Sequence, residues 1–143
     1  MALVYFDSSA LVKLVLNESG SDLAAALWNA CDGALSSRLA YPEVCAALAS
    51  AGRNRDLTAS EVAAALADWE RFWASIRPVE LTDKVQQVAG ALTATHHLRG
   101  ADAVHLASAI ALGSPDIILA VWDKRLHTAA AEIGLLLAPP TLP

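Results

Sequence analysis

The stretch Leu3-Val4-Tyr5-Phe6-Asp7-Ser8-Ser9 decides the fold. Four aliphatic and aromatic residues give a short strand pattern, and it stops at three residues that favour helix N-termini, so a strand passes straight into a helix with an acid at the junction. Ile117 to Trp122 repeats the arrangement near the other end of the chain. It is a continuous apolar run of the kind buried on both faces of a parallel sheet, and it also stops at an acid, Asp123.

Working outward, further strands are expected around Ala34 to Ser37, at Arg77 to Leu81 and, as an edge strand before Pro139-Pro140, at Leu135 to Ala138. Helical patterns separate them. Asp22 to Ala30 is helical in composition, and Pro42 suits the first turn of a helix running to Gly52, with Glu43 in that turn. Thr58 to Ser75 places Val62, Leu66, Trp69 and Trp73 on one stripe behind a Ser60 cap, and such stripes face the core by default. Asp83 to His97 is followed by Ala101 to Leu112, a nearly apolar helix ended by Gly113 that carries Asp102 in its first turn. A last helix runs from Asp123 to Gly134. Strands alternating with helices predict an α/β protein: a three-layer α/β/α domain with a central, mostly parallel sheet of about five strands. Residues 1–143 read as one domain, without internal repeat or linker.

At 143 residues and 55% hydrophobic content, the chain is long enough to bury a substantial core. Cys31 and Cys45 lack CxxC or Cys/His spacing and read as reduced thiols. The N-terminus lacks a basic leader and interrupts its apolar run with Asp7 and Lys13, and no apolar run approaches the roughly 18 residues of a membrane span. A soluble, cytoplasmic protein is expected. The net charge of −5 is unusual for a nucleic-acid binder. Setting aside four acids discussed next leaves a nearly balanced remainder, in which Arg38, Arg53, Arg55, Arg99, Lys124 and Arg125 are available for basic patches.

Asp7, Glu43, Asp102 and Asp123 each fall at the start of a helix. Singly, each has a capping or helix-dipole explanation, worth about 0.3–2 kcal/mol. Jointly they do not, because an open α/β topology brings strand C-termini and the following helix starts to one crevice. Like charges about 4 Å apart repel by about 4 kcal/mol at an effective dielectric of about 20, so such a cluster takes up protons or holds a divalent cation.

Four segments carry a family resemblance: Phe6-Asp7-Ser8-Ser9-Ala10-Leu11-Val12-Lys13; Pro42-Glu43-Val44 with Ala46-Ala47-Leu48; Arg99-Gly100-Ala101-Asp102-Ala103-Val104-His105-Leu106-Ala107; and Trp122-Asp123-Lys124-Arg125-Leu126. In order and spacing they resemble the acidic signatures of PIN-domain ribonucleases, and most of all the VapC toxin branch. The resemblance implies an endoribonuclease dependent on Mg²⁺, or Mn²⁺ in its place, that leaves a 5′-phosphate and a 3′-hydroxyl. Asp7 and Asp102 would be the principal metal ligands. Glu43 would bind metal or position water, Asp123 would serve a second ion or an outer shell, and Ser9 would orient a carboxylate. Val121 stands where the family carries a Thr or Ser hydroxyl, so the local hydrogen bond that would orient Asp123 in the family is missing from the sequence. The resemblance further implies an RNA substrate, a homodimer, and neutralisation by a VapB-type antitoxin that lays a helix in an apolar groove, for which Trp69 and Trp73 are candidates.

Other readings compete. An aspartyl-nucleophile phosphatase wants a second Asp where Ser9 stands, and a receiver-type phosphoacceptor wants an acid pair that Asp7-Ser8 does not supply. A non-catalytic RNA- or protein-binding module on the same fold would keep the acids as caps. His105, one turn beyond Asp102, reads as a structural hydrogen-bond partner, because carboxylate sites for hard cations do not need imidazole. His96, His97 and His127 lack companions at zinc spacing and read as surface or capping residues.

Overall fold

The structure is a computed structural model and describes residues 2–143. Its strands are β1 (Leu3–Phe6), β2 (Gly33–Ser37), β3 (Ile76–Val79), β4 (Ile118–Ala120) and β5 (Leu136–Ala138). They form one parallel sheet in the order β3-β2-β1-β4-β5. The chain winds outward from β1 through β2 to β3, then returns to the other side of β1 as β4. The β1/β4 pair, with Phe6 level with Ala120, is therefore the topological switch point, where parallel sheets of this kind open a crevice beyond their strand C-termini.

Period-two alternation on β1 builds the layers. Val4 and Phe6 pack on one face among residues of α1 (Ser8–Val15), α3 (Ala40–Arg53) and α4 (Ala59–Ala74), where Leu11, Val44, Leu48 and Trp69 are fully buried. α2 (Ser21–Ala30) joins this layer through Leu27 and Trp28. Tyr5 points the other way, into a core made with Leu106 and Ala109 of α6 (Gly100–Ala111) and Leu126 and Ala130 of α7 (Lys124–Glu132). α5 (Asp83–Thr95) packs on α6 through Val85, Ala89, Ala103 and Ala107. The expected three-layer α/β fold is present, with every strand pair parallel. Among the described residues no helix is long and apolar enough to cross a membrane.

Several boundaries move for local reasons. The cap of α4 is Thr58, not Ser60: its hydroxyl accepts from Glu61 N while Glu61 reaches back to Thr58 N, a reciprocal capping box. Those bonds also hold the Glu61 carboxyl below its usual range. The α4 stripe is narrower than the spacing implies, because Leu66 is exposed while Ala65 and Trp69 are buried. β3 starts and stops earlier than expected and leaves Leu81 exposed. Pro78 lies within it, which an edge strand tolerates. α5 stops at Thr95, where His96 turns extended, and β4 is only the centre of the Ile117 to Trp122 run.

Candidate active site

Asp7 leaves β1 and becomes the N-cap of α1. Its Oδ1 accepts from Ala10 N at 3.0 Å and Ser9 Oγ at 2.6 Å. Ser9 Oγ in turn accepts from Trp122 N at 3.0 Å, so one hydroxyl ties the first acid to the loop after β4. Glu43 sits in the first turn of α3, and its Oε1 accepts from His105 Nε2 at 2.6 Å. Asp102, in the first turn of α6, accepts through Oδ2 from Arg99 N at 3.3 Å. Asp123 caps α7, with Oδ1 accepting from Leu126 N at 3.0 Å. Thus the helix it starts, rather than a hydroxyl at position 121, orients Asp123, and Val121 is plain core.

All four acids line one cavity of about 430 Å³ beyond the C-terminal ends of β1 and β4. In each, the hydrogen bonds from the described residues fall on a single carboxylate oxygen, and the second oxygen of Asp123 lies 3.6 Å from the Arg99 guanidinium. Asp7 is buried, and desolvation, offset by the nearby His105 and by the Ser9 and Ala10 donors, pushes its carboxyl up to about 6. The Asp123 charge adds to the rise. Arg99, largely exposed at the rim, sets its guanidinium 3.5 Å from Asp102 Oδ2 and 3.6 Å from Asp123 Oδ2. It is a cation of the chain's own between two of the acids. Burial also holds the Tyr5 phenol far above its usual range.

The four carboxylates suit a hard divalent cation: each is anchored through one oxygen, all line one cavity, and one is a buried acid whose charge a cation would relieve. Among the described residues no three His, Cys, Asp or Glu side chains stand close enough together to form a ready-made ligand cage. A larger cavity, about 650 Å³, lies elsewhere and is mostly apolar, lined by Tyr41, Pro42, Trp73 and Leu81. Its one acid, Glu70, is held by the Tyr41 hydroxyl, so size does not mark the chemistry here.

Residues 4–132 match the model of the PIN domain. Over 142 residues, 99% of each chain, the sequence is 65% identical to Ribonuclease VapC45 of Mycobacterium tuberculosis. The chain belongs to the PIN-domain family of VapC ribonucleases. Solved structures share the PIN fold at low identity. Mycobacterium tuberculosis VapC20, described as a Sarcin-Ricin loop cleaving toxin, superposes with a TM-score of 0.69 at 18% identity, covering 98% of this chain and 99% of that one. A toxin–antitoxin complex from Klebsiella pneumoniae gives 0.68 at 16% identity, with 98% and 99% covered.

The PIN-domain crevice gathers all four sequence-derived acids together with Ser9. Among the histidines, His105 is the structural hydrogen-bond partner expected and His96 is the C-cap of α5, whereas the surface-or-capping reading fails at His127. His105 is buried and bonds Glu43, 62 residues away, rather than its neighbour Asp102. His127 is buried too, donating from Nε2 to Pro139 O at 2.8 Å and so pinning the C-terminal segment. His96 is mostly buried, 3.7 Å from Glu132. No local spacing signals these partners; only tertiary packing makes them. Of the basic candidates, Arg38 is paired with Glu80 at 2.6 Å, whereas Lys124 and Arg125 are exposed and share a small pocket with His96 and His97. Cys31 and Cys45 are free thiols, and burial raises that of Cys31. Trp69 is core, and Trp73 is half-buried beside the apolar cavity.

Proposed function

We propose that this PIN-domain protein is a Mg²⁺-dependent endoribonuclease, with Mn²⁺ able to substitute, acting as the toxin of a type II toxin–antitoxin pair in the cytoplasm. The observation that carries this reading is the convergence of Asp7, Glu43, Asp102 and Asp123, from four separate helix starts, on one cavity. A bound divalent ion would activate water for in-line attack on a phosphodiester and offset the charge that develops there. Asp7 and Asp102 are the ligands we assign first. Glu43 binds the ion or holds the attacking water, and Asp123 serves a second ion or an outer shell. No covalent nucleophile on the protein is needed.

RNA approaches an acidic molecule, so local cations must guide it. Arg99 offers a guanidinium fork at the mouth, and Lys124 with Arg125 extend positive charge along the start of α7. The apolar cavity beside Trp73 begins at Tyr41 and Pro42, immediately before Glu43. It offers a VapB-type antitoxin helix a hydrophobic seat next to the acids. A homodimer, and a hetero-oligomer with that antitoxin, complete the proposal.

Cleavage of total and defined RNAs in Mg²⁺, Mn²⁺ or EDTA, beside Asp7→Asn and Asp102→Asn, tests it. Discrete fragments should appear only with metal and wild-type protein. Intact RNA throughout, including cellular RNA from an expressing host, would overturn the enzyme and favour a non-catalytic RNA- or protein-binding module.

A further inference from the structure

Glu43 differs from the other three acids in what holds it. Asp7, Asp102 and Asp123 each accept a backbone N–H at the start of their own helix, from Ala10, Arg99 and Leu126. Glu43 lies inside the first turn of α3, has a longer and more mobile side chain, and takes its hydrogen bond from a side chain of another helix, His105 on α6. His105 is in turn held from the sheet: Tyr5 Oη lies 2.8 Å from Nδ1, with the two rings edge to face and 5.9 Å between centroids. Both the tyrosine and the imidazole are buried.

The direction of these bonds follows from their chemistry. An ionised carboxylate only accepts, so Nε2 must carry a hydrogen toward Glu43 Oε1. In a neutral ring Nδ1 is then bare and accepts from the Tyr5 hydroxyl, and in a protonated ring Nδ1 donates to the Tyr5 oxygen; in both states the ring is held from the sheet by Tyr5. In either state the Nε2 hydrogen ends on one oxygen of Glu43.

We propose that Tyr5 and His105 are positioning residues that lock Glu43 through Oε1 and present Oε2 to the cation, so that metal affinity depends on a tyrosine that never touches metal. This rests on the reading of the four acids as a metal site. Partners that orient ligand carboxylates typically change metal affinity about 10–100-fold when removed.

Mn²⁺ binding to the full-length protein, followed by electron paramagnetic resonance of the free ion, tests it, with melting in EDTA as the check on folding. His105→Leu should weaken Mn²⁺ binding about 10–100-fold. His105→Gln, which restores an N–H at the Nε2 position, should recover most of that loss, and a merely structural role would not separate the two. Tyr5→Phe, which removes one hydroxyl, should weaken binding a few-fold and decides the matter if His105→Leu does not fold. Nitrogen NMR of labelled histidine should show the proton of His105 on Nε2. Wild-type affinity in folded His105→Leu or Tyr5→Phe, or a proton on Nδ1 alone, would overturn the positioning role while leaving the metal site standing. Failure of the wild type to bind Mn²⁺, or equal binding by Asp7→Asn and Asp102→Asn, would overturn the metal reading and this inference with it.

Discussion

The two walls of the acidic cavity are built differently. On the inner wall, Asp7 is buried and held by Ser9 and Ala10, and Glu43 is held by His105. On the outer wall, Asp102 and Asp123 share the largely exposed Arg99, whose side chain stands 3.5 and 3.6 Å from them. Glu43 is held by a buried side chain of another helix, whereas an exposed guanidinium bridges Asp102 and Asp123, and a divalent ion binding there would have to displace it. Of the four acids only Asp7 is buried, so its charge is the one most costly to leave uncompensated.

The largest effect expected from breaking this contrast is at Asp7. Asp7→Asn should abolish RNA cleavage, on the order of 10³-fold or more, the several kcal/mol that metal-assisted hydrolysis supplies. It should also stabilise the metal-free protein. A carboxyl raised from 3.8 to about 6 binds its proton more tightly in the folded chain, so stability is fully present below pH 3.8 and is lost as pH rises toward 6. The loss amounts to roughly 3 kcal/mol. Urea unfolding in EDTA at pH 4 and pH 7 should show this decline in the wild type and not in Asp7→Asn, provided the other acids contribute alike. Equal slopes would mean that Asp7 is not the strained charge.

Ser9→Ala probes the inner wall next. It removes the donor to Asp7 and leaves Trp122 N without its acceptor, so a loss of about 1–3 kcal/mol in urea unfolding is expected. An unchanged midpoint would show that water replaces the hydroxyl. Replacing both Lys124 and Arg125 by Ala should weaken RNA binding and lower the slope of log affinity against log salt by about 1.4, if each contacts one phosphate of a single strand. An unchanged slope would exclude that route.

The smallest effect belongs to the outer wall. Arg99→Ala should leave the melting temperature nearly unchanged, since exposed ion pairs contribute about 0–1 kcal/mol. It should tighten Mn²⁺ binding a few-fold in calorimetry by removing the competing cation. Weaker binding would assign Arg99 to the support of the ligands instead.

The acids were legible in the sequence because each is a helix-start residue, and cap and first-turn chemistry is local. The same locality made β1 and the place of Glu43 readable residue by residue. What eluded reading was set across the sheet. The partner of His105 is 62 residues away, and that of His127 is a carbonyl in the terminal segment. Leu66 follows the α4 stripe yet is exposed, because where that helix meets the core depends on its neighbours rather than on its own period. Ser60 lost the cap to Thr58 by two residues, where both carry a hydroxyl and only the reciprocal bond with Glu61 separates them.

A crystal soaked in Mn²⁺ and measured at an anomalous wavelength would test most directly whether the four acids hold a cation. An anomalous peak in the 430 Å³ cavity is expected, with the free oxygens of Asp7 and Asp102 nearest to it and Arg99 swung out toward solvent. A cavity without manganese, in protein that still cleaves RNA in EDTA, would contradict the metal site.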